Sequence, residues 1–368
     1  MFLPPFPRLL LSAALPLLLV TSASGAGATL REAAAGRIEI GAAIPGAEMP
    51  PAELQLVADQ FTNVTPENCM KPAVVQPSEG KFDFAAADKL VDFALANNLK
   101  VNGHTLVWHS QCPEWIFQNG AVPAGRDLVL QRMRLHIQTV ASRFRGRVVS
   151  WDVVNEAISD GGEYLRPSKW LTLAGPDFIP EAFRAARLAD PRAALYYNDY
   201  NIEQPAKRDK ALRLIADLKA SDAPIDGIGI QGHWTLDQVP FKDIEDAIIA
   251  FKKTGLKVAI TELDIDVVPR KKSSADVGRK EEGGDDPYAA GLPPELQERQ
   301  ARQYAQLFEI FRRQGVVRVT FWGFQDGRSW LNTWPRKRTN HALLWTRDLL
   351  PKPSFQAVVS SLQGKTTP

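Results

Sequence analysis

The segment VVSWDVVNEAIS (residues 148–159) is an apolar run that ends on an asparagine and a glutamate. A short run rich in valine is typical of a strand that is buried on both faces. Its terminal polar pair, Asn155 and Glu156, has two interpretations. Either the strand has ended and these residues face water, or the strand directs them into a cleft. The rest of the chain decides between the two.

Seven other apolar runs of this kind occur along the chain. They are IEIGAAI from residue 38, FTNVTPEN from 61, VNGHTLVW from 101, ALYYNDYN from 194, GIGIQGHW from 227, VAITELDI from 258 and VRVTFWGF from 317. The segments between them have apolar residues at three- and four-residue spacing, which predicts helices. Examples are residues 82–98, 127–144 and 297–315. The last of these ends on Gly315, as a helix C-cap often does.

This alternation of strands and helices predicts parallel βαβ units, since parallel strands need long crossover connections. Eight such units in 368 residues suit a single-domain α/β protein with a (β/α)8 TIM barrel. A doubly wound open sheet is the alternative. No strand is followed by a G-x-G-x-x-G or P-loop sequence, so the nucleotide-binding versions of that sheet lack their signature.

The composition is that of an ordinary globular protein, with 45% hydrophobic and 23% charged residues. A formal net charge of +2 gives no support to nucleic-acid or membrane-surface binding. We therefore expect a monomer whose partner is a small or polymeric substrate.

The N-terminus has the pattern of a secretory signal peptide: Arg8, an apolar run over residues 9–20 and then small residues. A membrane anchor is the alternative, but the run is shorter than the roughly 20 residues of a spanning helix and contains Pro16. Residues 1–25 are thus predicted to be a signal peptide and residues 26–368 the catalytic domain. The expected location is secreted or periplasmic, without membrane attachment after cleavage.

Polar and aromatic side chains recur at the C-terminal ends of the predicted strands, where the active sites of (β/α)8 barrels form. They are Glu67, Asn68 and Lys71; His104, Trp108 and Gln111; Asn155 and Glu156; Asn198 and Tyr200; Gln231 and His233; Glu262 and Asp264; and Trp322 and Trp330. A ring of such residues at one end of a barrel is not explained by solvation. It favours the cleft interpretation for Asn155 and Glu156.

The chemistry of this ring suits a sugar substrate. Amides bind hydroxyl groups, and indole rings pack on the apolar face of a pyranose. Two carboxyl groups are what glycoside hydrolysis requires. No cofactor is implied. A metal site formed by His104, His109 and His233 would lack any recognised ligand spacing.

Seven motifs carry a resemblance to a known family: VTPENCMKP, GHTLVWHSQ, WDVVNEA, YNDYN, GIGIQGHW, ITELDI and FWGFQDGRSW. They resemble the endo-β-1,4-xylanases of glycoside hydrolase family 10, over essentially the whole predicted mature chain. The resemblance implies a retaining enzyme that cuts xylan and xylo-oligosaccharides internally. It also implies that Glu156 is the acid/base and Glu262 the nucleophile.

The same resemblance implies the roles of most other residues in the ring. Asn155 would bond the 2-hydroxyl group at the cleavage point, and His233 and Asp264 would form hydrogen bonds around the nucleophile. The implied glycone-side binding set is Glu67, Asn68, Lys71, His104, Trp108, Gln111, Gln231, Trp322 and Trp330. Asn198 and Tyr200 are expected to line the cleft.

Several alternatives stay open at the level of sequence. A β-1,4-glucanase or mannanase would share the two glutamates, and a non-catalytic sugar-binding barrel would have lost them. Cys69 and Cys112 follow neighbouring strands at a spacing that suits a disulfide, although two free thiols fit as well. The long loop after the seventh strand is expected to shape the leaving-group side of the cleft.

Overall fold

The structure, a computed structural model, describes residue 1, residues 27–270 and residues 274–365. Apart from residue 1, the predicted signal peptide lies outside the described residues. None of the helices in the described ranges combines the length and the apolar character that a membrane span requires.

Eight parallel strands form a closed barrel in the described part of the chain, so the predicted (β/α)8 fold is confirmed. The last strand pairs with the first, with Arg318 opposite Glu39. The strands are β1 (Glu39–Ile44), β2 (Asn63–Pro66), β3 (Lys100–Trp108), β4 (Ser150–Asn155), β5 (Ala194–Asp199), β6 (Gly227–Ile230), β7 (Lys257–Asp266) and β8 (Arg318–Phe321).

Helices connect the strands and cover the outside of the barrel. They are α1 (Leu30–Ala34), α2 (Pro51–Gln60), α3 (Pro72–Val75), α4 (Ala85–Ala96), α5 (Arg126–Arg143), α6 (Phe178–Ala189), α7 (Pro205–Ala220), α8 (Phe241–Lys253), α9 (Pro294–Gln314) and α10 (Pro353–Leu362). α9 ends on Gly315 in the left-handed conformation, with φ 66°, which confirms the predicted C-cap. α10 packs against α9 and α1.

The predicted sixth strand, GIGIQGHW, is divided in the structure. β6 ends at Ile230, and a separate three-residue strand, His233–Thr235, pairs with β7. The chain turns between them at Gly232, whose φ of 87° is a conformation that favours glycine. The prediction of one continuous strand was therefore wrong, and the turn brings Gln231 and His233 to the same pocket.

Three shifts in strand register lie close to the C-terminal ends of the strands. They fall between His104 and Val107 of β3, between Asp152 and Val154 of β4, and between Ile260 and Leu263 of β7. A bulge of this kind redirects the side chains that follow it. Each shift therefore affects the direction of the polar residues at the end of its strand.

Cys69 and Cys112 are both free thiols, so the disulfide hypothesis is wrong. Burial raises the pKa of Cys69 to about 11 and that of Cys112 to about 12. Cys69 packs in the hydrophobic core, and Cys112 packs against that core. Each sulfur therefore behaves as a small apolar group rather than as a cross-link.

Candidate active site

A pocket opens at the C-terminal end of the barrel. Asn155 and Glu156 line it with only 2% and 3% of their surface exposed, so the end of β4 faces this pocket and not bulk water. The lining residues are Lys71, His104, Trp108, Asn155, Glu156, Gln231, His233, Glu262, Ala275, Val277, Trp322 and Trp330. All of them except Ala275 and Val277 were predicted from the sequence.

Glu156 directly follows β4 and has a left-handed backbone, with φ 57°. This conformation costs a non-glycine residue on the order of 1 kcal/mol or more, so it persists only where the surrounding structure holds it. Trp108 Nε1 and Gln231 Nε2 each donate to its carboxylate at 2.9 Å. Burial, together with the negative charge of Asp199, raises the pKa of Glu156 to about 7. The carboxyl group can therefore hold a proton near neutral pH.

Glu262 of β7 has a different environment. Asn198 Nδ2 donates to its Oε1 at 2.7 Å, and Nε2 of His233 lies 3.2 Å from its Oε2. Burial alone would raise the pKa of Glu262, but His233, His104 and Asn198 together lower it below its ordinary value. This carboxyl group is thus held in its ionised form.

His233 links Glu262 to a second acid. Its Nδ1 lies 3.0 Å from Asp264 Oδ2, and Trp330 Nε1 donates to the same oxygen at 2.8 Å. Burial would lower the pKa of His233, but the charges of Asp264 and Glu262 raise it to about 9. His233 is therefore a cation that faces Glu262, which agrees with the predicted arrangement around this carboxylate.

Lys71 and His104 complete the side of the pocket formed by β2 and β3. Lys71 Nζ lies 5.0 Å from the centre of the Trp108 ring and donates to Asn68 Oδ1 at 3.1 Å. His104 Nδ1 lies 2.9 Å from Asp152 Oδ2. The centres of the His104 and Trp322 rings are 5.1 Å apart, in an edge-to-face arrangement. The orientation of each cationic or aromatic side chain is thus fixed by a neighbour.

Six predicted site residues lie outside the pocket lining, one of which is Asp264, the partner of His233. Glu67 and Asn68 are half-buried beside Lys71, and Gln111 is exposed in the loop after β3. Asn198 is fully buried beneath the pocket, where its amide lies 3.0 Å from that of Asn155. Tyr200 is not among the residues that line this pocket, and its hydroxyl accepts a hydrogen bond from Arg166 at 2.7 Å.

The sequence did not predict that His109 lies near the acid/base carboxyl group. His109 was considered only as a metal ligand, but its Nδ1 lies 3.9 Å from Glu156 Oε2. Burial, and after it the charge of Arg166, lowers the pKa of His109 to about 4, so the ring is neutral. Its position one residue after Trp108 in the motif GHTLVWHSQ was the available signal.

The loop after β7 also contributes to the pocket, through Ala275 and Val277. Trp334 supports this loop, since its Nε1 donates to the carbonyl oxygen of Asp276 at 3.0 Å. The Trp334 ring also stacks on that of Trp330, with the ring centres 4.5 Å apart. No periodic pattern in the sequence could have identified these contacts. The expectation that the loop reaches the cleft is confirmed, and which side of the cleft it shapes stays a prediction.

Two carboxyl groups share this pocket, one with a pKa raised to about 7 and the other with a pKa lowered below its ordinary value. Among the described residues, no group of three or more His, Cys, Asp or Glu side chains could hold a metal ion. A pair of carboxyl groups in opposite protonation states supplies both the acid and the nucleophile that cleave an acetal. On a (β/α)8 barrel with tryptophans beside the pair, this defines the class of glycoside hydrolases.

A model of glycosyl hydrolase family 10 matches residues 29–361. A β-1,4-xylanase of Dictyoglomus thermophilum is 42% identical over 309 residues, which are 83% of this chain and 83% of that protein. An endo-1,4-β-xylanase of Geobacillus stearothermophilus is 41% identical over 90% of this chain and 98% of that protein. A solved family 10 endoxylanase from a sugarcane soil metagenome has a TM-score of 0.87 and 38% identity, over 90% of this chain and 99% of that one. The chain belongs to glycosyl hydrolase family 10.

Proposed function

We propose that this protein is a retaining endo-1,4-β-xylanase in which Glu156 is the acid/base and Glu262 the nucleophile. The observation that carries the proposal is the opposite environment of the two carboxyl groups. The pKa of Glu156 is raised to about 7, whereas that of Glu262 is lowered. An acid that must deliver a proton and a nucleophile that must be ionised need this difference.

In the first step, the Glu262 carboxylate attacks the anomeric carbon while Glu156 gives its proton to the departing glycosidic oxygen. The bond from carbon to that oxygen breaks, and a covalent glycosyl ester forms on Glu262. The ionised Glu156 then removes a proton from a water molecule, which attacks the same carbon and releases Glu262. Two inversions at one carbon give net retention.

The other pocket residues bind the substrate in this proposal. Asn155, beside the acid/base, is placed to bond the 2-hydroxyl group of the sugar at the cleavage point. Trp322 and Trp330 offer apolar faces on which sugar rings can pack. Next to Lys71, the side chains of Glu67, Asn68 and Gln111 would extend the binding site along the xylan chain. Tyr200 is not given a binding role, because its hydroxyl is buried against Arg166.

Xylan and xylo-oligosaccharides are the proposed substrates. The curated relatives reported above are named as xylanases and are about 40% identical over most of both chains. Lys71, His104 and Trp322 line the pocket, and we infer that they would leave little room for the 6-hydroxymethyl group of a hexose. Xylose lacks that group. This crowding is the physical reason to prefer a xylanase over a glucanase or a mannanase.

The test is the release of reducing sugar from xylan, carboxymethylcellulose and mannan by the purified protein. We expect activity on xylan well above that on the other two polymers. Glu156→Gln, which keeps the size of the side chain but cannot ionise, is the control for contaminating activity. Higher activity on carboxymethylcellulose or mannan would favour the rival glycanases, and no hydrolysis of any polymer would favour a binding protein.

We also propose that residues 1–25 direct export, that residues 26–368 act as a monomer, and that the enzyme works in the periplasm or outside the cell. The charge and apolar pattern of the N-terminal sequence supports export. N-terminal sequencing of the protein recovered from the periplasm and from the medium tests it. Recovery of uncleaved protein from the cytoplasm alone would contradict it.

A further inference from the structure

The acid/base carboxyl group is carried by a strained turn, and one tyrosine hydroxyl holds that turn. The backbone N–H groups of Ala157 and Ile158, the two residues after Glu156, both donate to Tyr197 Oη at 3.0 Å. The same hydroxyl donates to Asp199 Oδ2 at 2.5 Å. A tyrosine hydroxyl has one proton and two acceptor positions, so its full capacity is used here.

Strand alternation explains how β5 serves both carboxyl groups. Successive side chains of a strand point to opposite faces, so Tyr197 and Asp199 share one face and Asn198 points to the other. Asn198 reaches inward to Glu262, as described above. Tyr197 and Asp199 contact the chain that leaves β4 after Glu156. One strand of six residues thus contacts the surroundings of both catalytic groups.

We propose that Tyr197 and Asp199 are positioning residues for the acid/base Glu156, a proposal that rests on the function proposed above. Tyr197 fixes the left-handed turn through the N–H groups of Ala157 and Ile158, and Asp199 fixes the direction of the Tyr197 hydroxyl. Neither side chain lines the pocket, so both act through Glu156 rather than on the substrate.

Asp199 is itself held by neighbours on α7 and in the loop after β5. Lys207 Nζ donates to Asp199 Oδ1 at 2.8 Å, and the backbone N–H of Tyr200 donates to the same oxygen at 2.9 Å. Burial raises the pKa of Asp199, while the ammonium group of Lys207 opposes this effect and stabilises the ionised form. Lys207 also donates to Asp160 Oδ1 at 2.7 Å. The carboxylate of Asp199 therefore has little freedom to rotate away from Tyr197.

The turn has a second attachment on its other side. Arg166 Nε donates to the carbonyl oxygen of Glu156 at 2.8 Å, and the Arg166 N–H donates to the carbonyl oxygen of Ala157 at 2.8 Å. Arg166 and Lys207 balance the charges of Asp160 and Asp199, so the layer behind Glu156 is neutral as a whole. The strain of the left-handed turn is thus opposed by hydrogen bonds from both sides.

The charge of Asp199 acts on Glu156 in addition to its geometric role. After burial, this charge is the largest cause of the raised pKa of Glu156. The titratable and charged groups around Glu156 come from several elements and are Asp199, Glu262, Lys71, His109, Arg166 and Tyr200. Removal of the Asp199 charge should lower the pKa of Glu156, whereas removal of the Tyr197 hydroxyl should mainly misplace its carboxyl group.

Two substrates that differ in their need for acid assistance separate positioning from a merely structural role. Xylan has a poor leaving group that must be protonated, whereas 2,4-dinitrophenyl xylobioside has a leaving group that departs without a proton. A general acid contributes roughly 10²- to 10⁴-fold to a rate. For Tyr197→Phe we expect kcat/KM on xylan to fall roughly 10- to 100-fold, at or below the lower end of that range, because the acid is misplaced rather than removed. The value of kcat/KM on the aryl substrate should change little, since it reports only the first step, which needs no proton there.

Asp199→Asn keeps the side-chain shape and removes the charge. We expect the basic limb of its kcat/KM profile on xylan to move to lower pH, since protonated Glu156 is then lost earlier. Tyr196→Phe is the matched control, because Tyr196 precedes Tyr197 on β5 and its ring packs beside Arg318 inside the barrel. It should show neither effect.

Thermal unfolding of each variant, followed by near-ultraviolet circular dichroism, gives the folded fraction to which rates are normalised. Equal losses of kcat/KM on both substrates for Tyr197→Phe, or an unchanged pH profile for Asp199→Asn, would overturn the positioning roles. If Tyr197→Phe does not fold, the profile of Asp199→Asn alone decides. A wild-type protein that hydrolyses neither substrate would instead overturn the proposed function.

Discussion

The side-chain amide of Asn198 donates a hydrogen bond of 2.7 Å to Oε1 of Glu262, although 64 residues separate the two in sequence. The same amide lies 3.0 Å from Asn155, the residue before Glu156. Gly229 of β6 leaves room for it, because a Cβ atom there would lie 2.5 Å from Asn198 Oδ1. Asn198 thus joins the strands that carry the two carboxyl groups while remaining fully buried.

Replacement of Asn198 by alanine should impair Glu262 more than substrate binding. Glu262 would lose a hydrogen bond to its charged form, so its pKa should rise and the acid limb of the pH profile should move to higher pH. A hydrogen bond to a charged group is worth about 1.5–3 kcal/mol, which corresponds to a loss of roughly 10- to 100-fold in kcat. Asn119→Ala, at an exposed asparagine outside the pocket, is the control. An unchanged kcat and acid limb would contradict this role.

The pH dependence of kcat/KM should follow the two carboxyl groups. Activity requires ionised Glu262 and protonated Glu156. Because the pKa of Glu262 is lowered, against the effect of burial, by His233, His104 and Asn198, and that of Glu156 is raised to about 7, we expect an acid limb below the ordinary range of a glutamate and a basic limb near pH 7. The basic limb of kcat/KM should be absent when the wild-type protein acts on an activated aryl xylobioside, because that leaving group departs without a proton. Persistence of the same limb on that substrate would assign it to another group.

Sugar selectivity should show in the first step of the reaction. If Lys71, His104 and Trp322 crowd the glycone side, an aryl cellobioside should react more slowly than the matching aryl xylobioside. A misfit of one hydroxymethyl group typically costs about 1–3 kcal/mol, or roughly 10- to 200-fold in kcat/KM. Rates for the two glycosides under identical conditions check this expectation. Comparable values would remove the structural reason for preferring xylan.

Cys69 and Cys112 should titrate as two free thiols once the protein is unfolded without a reductant. In the folded protein both should react slowly, because burial raises their pKa values to about 11 and about 12 and the thiolate is the reactive form. Titration with a thiol reagent before and after denaturation measures both states. A denatured, unreduced protein with no reactive thiol would show that the two are bridged.

The fold was largely predictable, because strand and helix periodicities alternate along the whole chain. The ring of polar residues was predictable for the same reason, since the barrel brings the C-terminal ends of all its strands together. This reasoning predicts that Glu156 and Glu262 share one pocket. It also placed most of the lining residues there, including Lys71, Gln231 and Trp330.

The features that the sequence did not predict depend on the direction in which individual side chains point and on irregular backbone segments. Strand alternation alone does not show that bulges shift the register in β3, β4 and β7. Tyr200 was assigned to the cleft because it follows β5, but it is buried against Arg166. Ala275 and Val277 belong to a loop without periodicity, so their place in the pocket depends on tertiary contacts such as those of Trp334.

The roles of Glu156 and Glu262 are tested most directly by the products that azide forms with the two alanine variants. With an activated aryl xylobioside, Glu156→Ala should still form the glycosyl ester on Glu262, and azide should then give the β-glycosyl azide. Glu262→Ala should lose the covalent step, so azide that enters from the vacated side should give the α-glycosyl azide. Nuclear magnetic resonance of the anomeric proton identifies each product. The two anomers in the opposite order would contradict the assignment.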